Sequence, residues 1–169
     1  SEMVTDKPII AAIQGYCVGE GVNLALACDL IFADADASFM ISEVRIGVNP
    51  VDIPIKLARR LGYAKAFAFL TPGDGKSAAW LASAGLVEEV CAPGTVRGEA
   101  LAFARRLSGE CAPLALRAQK ETLFQAAFVS DSAAKVSGEA RRQVIRASVD
   151  YAEGRQAFLE KRTPEFTGQ

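Results

Sequence analysis

Gln14-Gly15-Tyr16-Cys17-Val18-Gly19-Glu20-Gly21-Val22-Asn23-Leu24 organises the rest of the chain, with an echo at Phe39-Met40-Ile41-Ser42-Glu43. An apolar run over residues 9–13 leads into it, and a helix-like apolar run over residues 24–28 leads out. Between them stand Gly15, Gly19 and Gly21. Strand, glycine-rich turn and helix is the layout that presents backbone N–H groups at a helix start. Such donors hold either a phosphate or a carbonyl oxygen that is gaining negative charge. The same glycines also allow a strand and a helix to pack closely, and the stretch alone leaves these readings open.

Composition narrows the chemistry. A chain of 169 residues, 50% hydrophobic and 23% charged, has the balance of a globular domain with a real core. The net charge of −1 and the lack of a basic block argue against a nucleic-acid partner. No apolar run approaches membrane-spanning length and no signal peptide is visible, so no membrane partner is expected. Cys17, Cys28, Cys91 and Cys111 are widely spaced, with no C-x-x-C pair. They read as reduced core thiols in a cytoplasmic protein, with no metal site. The sequence contains no histidine, which removes Ser-His-Asp and Cys-His catalysis. Carboxylates, backbone amides, Lys and Tyr remain as working groups.

Outward from the opening stretch, residues 8–13 read as a strand buried on both faces. Residues 21–28 read as a short helix, residues 30–33 as a second buried strand, and residues 39–41 as a third that ends at Ser42-Glu43. Strands joined by a helix without a hairpin signal predict a parallel crossover in an α/β protein. Asp52 is the expected cap of a helix over residues 55–61, which Gly62 stops. Further helices are expected over residues 64–70, over residues 78–84 with Ser77 as cap, and over residues 96–107. A strand is expected at residues 86–90. Pro113 opens a helix to about Ala127, Asp131 or Ser132 opens one to about Val149, and residues 152–162 form the last. Tyr16, Cys17 and Trp80 read as packing residues.

In order along the chain, these residues resemble the crotonase family, also called the enoyl-CoA hydratase/isomerase family. The likeness is carried by Lys7-Pro8-Ile9-Ile10-Ala11-Ala12-Ile13-Gln14-Gly15-Tyr16, by Gly19-x-Gly21-x-x-Leu24-Ala25 and by Cys28-Asp29. It continues through Phe39 to Gly47 (F-x-x-S-E-x-x-I-G), Leu70-Thr71, Ala84-Gly85-Leu86-Val87 and Phe158-Leu159-Glu160-Lys161-Arg162. The resemblance implies a crotonase-like ββα spiral core lacking its N-terminal part, with a helical C-terminal trimerisation region. The expected division is 1–95 for the core with the site segments and 96–169 for the helical region. It further implies an acyl-CoA substrate whose thioester enolate is held in an oxyanion hole, with no cofactor beyond the coenzyme A of the substrate. The Glu20 N–H would be one donor, and Gly19, Gly21 and Pro50 the neighbouring oxyanion and substrate-binding positions. Glu43 matches a catalytic glutamate, whereas Asn23 stands where hydratases carry another. Phe158 and Lys161 match residues that reach the nucleotide end of CoA. Homotrimers or hexamers are implied as well.

Three departures shape the functional expectation. Asn23 accepts no proton at a useful pH, which weakens two-carboxylate hydration and favours moving a proton between carbons through Glu43. Phe39, Met40 and Ile41 give Glu43 an apolar setting suited to acid–base work. Val51-Asp52-Ile53-Pro54 replaces the family's glycine-rich stretch. The family's N-terminal portion has no counterpart in these residues, so the fragment alone is expected to turn over little substrate. Enoyl-CoA hydration or double-bond isomerisation is therefore the leading expectation, and a catalytically silent acyl-CoA-binding or assembly module is the alternative. At residue level, Asn23 reads equally as a local hydrogen-bonding group, Glu43 as a solvated strand-end carboxylate and Lys161 as part of a solvated helix face.

Overall fold

The computed structural model describes residues 5–169, without the side chains of Asp131 and Ala134. The polar residues 1–7, which read from the sequence as a loose lead-in, lie partly outside the described residues. The chain forms two units, Ile9–Ala102 and Phe103–Gln169 with the short segment ending at Pro8.

The first unit carries two small sheets. In one, β1 (Ile10–Ile13), β3 (Leu30–Asp34) and β6 (Glu89–Cys91) run in parallel in the order β1-β3-β6. Ile10 pairs with Leu30 and Phe32 with Glu89, which makes β3 the central strand. Accordingly β3 is the buried strand, with Ile31, Phe32 and Ala33 at most 1% exposed. The expectation that β1 is covered on both faces is corrected: Ala12 is exposed and its neighbours are half-buried. Among the described residues β1 pairs only with β3, whereas the apolar run resembled a central strand.

The second sheet contains an element the sequence reading took as loop. β2 (Tyr16–Val18) pairs in parallel with β4 (Ser38–Met40), which pairs antiparallel with β5 (Lys76–Ser77). β2 alternates, with Cys17 buried and Tyr16 and Val18 exposed. Burial raises the Cys17 thiol pKa, as desolvation does for any group that ionises to an anion. Tyr16 does not pack, contrary to expectation; at 86% exposure it faces outward.

Helix α1 (Glu20–Ala25) is short and begins at Glu20 rather than Gly21. Its Val22 and Ala25 bury against a core built from Cys17, Ile31, Phe39, Ile41, Ile53, Leu57, Phe69 and Leu81. Trp80 packs against this core from its edge, partly buried. α2 (Asp52–Leu70) is broken at Gly62, where φ is 72° and ψ 167°, in line with the two helices expected there. Asp52 is not its cap: Val51 holds that position without a side-chain bond, and Asp52 is the first helical residue. Ser77 does cap α3 (Ala78–Ser83), accepting from the Trp80 N–H at 3.1 Å. The strand expected at residues 86–90 lies further on, at Glu89–Cys91.

Asp34 ends β3 and is fully buried. Its two carboxylate oxygens accept from the Gly94 N–H at 3.0 Å and the Val96 N–H at 3.1 Å, so a residue sixty positions upstream caps α4 (Val96–Glu110). Asp34→Ala leaves the buried Val96 N–H unsatisfied and the exposed Gly94 N–H to water, and is expected to cost about 2 kcal/mol in urea unfolding, with Asp34→Asn losing less.

The helical unit contains α5 (Pro113–Phe128), α6 (Asp131–Arg146) and α7 (Val149–Glu160). Pro113 stands in the first turn of α5 as expected. Ser130, rather than Asp131 or Ser132, caps α6, accepting from the Ala133 N–H at 3.2 Å. Ser148 caps α7 in the same way, accepting from the Tyr151 N–H, so α6 ends before the expected Val149 and α7 starts three residues early. The segment after α7 folds back on it. Asp150, 2% exposed, accepts from the Thr167 and Gly168 N–H groups at 2.7 and 2.9 Å. Glu153 pairs with Arg162 through both oxygens and accepts from the Glu165 N–H.

The Arg162 guanidinium, with that backbone N–H, holds the Glu153 carboxyl down at about 2. Its folded value lies below the usual 4.5, so the contact contributes fully above about 4.5 and is lost as pH falls through about 2. Amide exchange at Glu165 is expected to match its neutral-pH protection at pH 5 and to lose it between pH 4 and 2.

Candidate active site

Two backbone bonds position the glycine-rich turn. The Ser38 N–H donates to the Gly15 carbonyl at 2.9 Å, and the Gly19 N–H donates to the Met40 carbonyl at 2.8 Å. They extend the β2–β4 ladder past both strand ends and bring the start of α1 beside the segment that follows β4. That segment is not a strand end, as the sequence reading had it, but a 3₁₀ turn, Glu43–Ile46, closed by left-handed Gly47.

The turn sends the Glu43 side chain back onto Gly19. A Cβ on Gly19 would lie 2.6 Å from Glu43 Oε1, and Gly19 has φ of 51°. The position therefore needs glycine twice over, for backbone conformation and for the approach of the carboxylate. Glu43 Oε2 is buried and has no hydrogen-bond partner among the described residues. A buried unpartnered carboxylate oxygen is costly, and natural structures retain few of them without a use. Arg45 anchors the same turn: its Nε and Nη2 donate to the Pro72 carbonyl at 3.2 and 3.1 Å, and it pairs with Asp74.

Asn23 lies one turn along α1. Its Nδ2 donates to Glu20 Oε1 at 2.7 Å, and its Oδ1 accepts from Lys56 Nζ on α2 at 2.6 Å. The partners fix the orientation of the amide, since a carboxylate only accepts and an ammonium only donates. Asn23 thus bonds side chains rather than the local backbone, and the exposed Glu20 carboxylate is engaged by it. The Glu20 N–H is at the first helical position and has no intrahelical carbonyl within reach.

The structure thus brings Gly19 and Glu43 into contact and links Glu20 to Asn23. Gly21 sits within the first turn of α1, where a Cβ would meet only Cys17 Sγ at 3.7 Å. Pro50 is half-buried at the entrance to α2, its carbonyl accepting from the Ile53 N–H. Phe158 and Lys161 lie in the helical unit, both exposed, with Lys161 in the left-handed C-cap position of α7. Phe158 borders an apolar groove of about 560 Å³ with Tyr151, Leu159 and Phe166. Lys56 was missed from the sequence. Only the packing of α1 on α2 gives it meaning, and no motif links it to Asn23, 33 residues away.

Comparison with known proteins identifies the class. The profile of the enoyl-CoA hydratase/isomerase family matches residues 3–169. The chain is 34% identical to the 2,3-dehydroadipyl-CoA hydratase of Escherichia coli K12, over 97% of its own length and 64% of the relative's. It is also 34% identical to the (E)-benzylidenesuccinyl-CoA hydratase of Thauera aromatica, over 96% of its own length and 63% of the relative's. Among solved structures, the enoyl-CoA hydratase of Bacillus anthracis superposes with a TM-score of 0.92 at 30% identity, covering 99% of this chain and 65% of that one. That of Mycobacterium tuberculosis H37Rv gives 0.90 at 34% identity, covering 97% and 65%. The chain belongs to the enoyl-CoA hydratase/isomerase family, with a crotonase-like α/β fold. It spans just under two thirds of the length of these relatives. No helix among the described residues is long and apolar enough to cross a membrane.

Proposed function

We propose that the protein containing this chain binds an acyl-CoA thioester, stabilises its enolate at the Glu20 N–H, and moves a proton with Glu43. The observation that carries this reading is the Glu43 carboxylate seated against Gly19 with Oε2 buried and unpartnered. With no partner for Oε2 among the described residues, that oxygen is free to meet a substrate proton. With both polar ends of Asn23 occupied, Glu43 is the working base, and shifting a double bond between carbons is easier than adding water. No cofactor other than the CoA of the substrate is needed. Phe158 and Lys161 are exposed enough to meet the nucleotide end of that CoA.

The test is product analysis with a 2-enoyl-CoA and a 3-enoyl-CoA, using the protein with whatever sequence naturally adjoins these residues. Interconversion of the two, with less hydration, supports the reading. If both come back unchanged while hydrolysis or decarboxylation of another acyl-CoA proceeds, the reading is wrong. The occupied amide of Asn23 also favours the second reading, a silent acyl-CoA-binding module. Binding of a saturated acyl-CoA, with enoyl-CoA turnover no higher than in Glu43→Gln, would decide for it.

The reading includes assembly into trimers or hexamers in the cytoplasm. The exposed Val136, Val144, Val149, Phe158 and Leu159 of the helical unit suit an interface between subunits. Sedimentation is expected to give at least three times the chain mass, and a strict monomer at high concentration contradicts this part.

A further inference from the structure

Glu20 poses an electrostatic problem for the proposed chemistry. Its N–H would hold a developing oxyanion while its own side chain carries a negative charge, and the Glu43 carboxylate stands one residue away at Gly19. Two anions beside an oxyanion site oppose the charge that forms there. The structure contains a counterweight. Lys56 Nζ donates to Asn23 Oδ1 at 2.6 Å, and Asn23 Nδ2 donates to Glu20 Oε1 at 2.7 Å. The result is a continuous chain from cation to amide to anion, tying α2 to the start of α1. Both bonds are charge-assisted, and each polarises the amide in the sense that strengthens the other.

We propose that Lys56 is a positioning residue for the thioester chemistry, acting through the Asn23 amide to hold the Glu20 carboxylate in place and offset its charge at the Glu20 N–H. The inference rests on the enolate reading above and deepens it. Lys56 touches neither substrate nor reacting atoms in this account. Its effect passes through Asn23, which explains how a non-titrating amide can serve at this position: an Asn can bridge an ammonium and a carboxylate while remaining neutral. A carboxylate at position 23 would instead pair with Lys56 and repel Glu20.

The experiment is a double-mutant cycle on the protein with its natural adjoining sequence, measuring kcat and KM for a 3-enoyl-CoA. Lys56→Met is expected to lower kcat about tenfold, the loss of one charge-assisted bond, with KM changed by less than about twofold. Lys56→Arg, which keeps the charge and the donor, is expected to retain most of the activity. In a Glu20→Gln background Lys56→Met should cost little, because the anion it balances is gone. A Lys56→Met loss of the same size in that background overturns the proposal, as does a Lys56→Arg enzyme as slow as Lys56→Met.

A second readout does not depend on turnover. In nitrogen-15 spectra the Asn23 side-chain amide pair is expected to shift with both Lys56→Met and Glu20→Gln. If it moves with neither, the chain is absent in solution and the proposal fails. Should Lys56→Met not fold, Glu20→Gln at an exposed side chain still gives this measurement. An unsubstituted protein that converts no enoyl-CoA overturns the enolate reading, and the positioning role with it, while the amide shifts still report whether the chain forms.

Discussion

Glu43→Gln is expected to lower kcat on an enoyl-CoA by about a thousandfold, within the range for removing a positioned general acid–base group. Glutamine keeps the shape of the side chain but cannot move a proton. Because the lost interaction belongs to the transition state, kcat and kcat/KM should fall together while KM changes little. The stability of the variant should move the other way. Oε2 of Glu43 is buried without a partner among the described residues, so the wild-type side chain carries a desolvation cost that a neutral amide relieves in part. Thermal melting should therefore show the inactive variant at least as stable as the wild type. A structural carboxylate would give the opposite pair of results: activity near normal and a lower melting temperature. Steady-state kinetics and a melting curve on the same preparation separate the two.

The second large effect is expected at Gly19→Ala. The methyl group would lie 2.6 Å from Glu43 Oε1, a separation at which something must shift. The backbone there has φ of 51°, where alanine is strained by roughly 1–3 kcal/mol. Relief comes either by displacing the Glu43 carboxylate or by turning the start of α1, and either change also moves the Glu20 N–H. Misplacement of about 1 Å typically costs about a hundredfold in rate, and that is the expected loss in kcat. Gly47→Ala is a useful contrast. It lies in the left-handed region at φ of 74° and ψ of 19°, which alanine tolerates better than the φ of 51° and ψ of −112° at Gly19, and a Cβ there meets nothing within 4 Å. It should lose less stability and less rate. Equal kcat for the two variants would mean that the contact between Gly19 and Glu43 has no part in the chemistry.

The central strand β3 was legible because burial on both faces leaves the continuous apolar signature of Leu30-Ile31-Phe32-Ala33. An ordered family resemblance singled out Gly19, Glu20, Asn23 and Glu43, and the structure sets Gly19 against Glu43 and bonds Glu20 to Asn23. What escaped depends on contacts made at a distance. β2 is three residues long and alternates between exposed and buried, so it reads as part of the glycine-rich loop until β4 pairs with it. β1 has the composition of a strand buried on both faces, yet among the described residues it pairs only with β3 and is half-buried. Asp34 follows the apolar run of β3 with nothing local to mark it; its role as cap for α4 appears only when Gly94 and Val96 fold back onto β3. The cap at Ser130 lay next to Asp131 and Ser132, and local sequence alone did not choose among them. Lys56 and Arg45 belong to the same class: each is an ordinary surface cation until another element supplies its partner.

In the proposed chemistry Glu43 takes a proton from the carbon next to the thioester carbonyl. Deuterium uptake at that carbon measures this most directly, without requiring that the rest of the reaction be known. A saturated acyl-CoA incubated in D2O with the protein and its natural adjoining sequence should take up deuterium at Cα, read by mass spectrometry. Glu43→Gln should reduce the exchange to the rate seen without protein. Exchange that continues undiminished in Glu43→Gln, or no exchange in the wild type despite demonstrable binding of the same acyl-CoA, would contradict it.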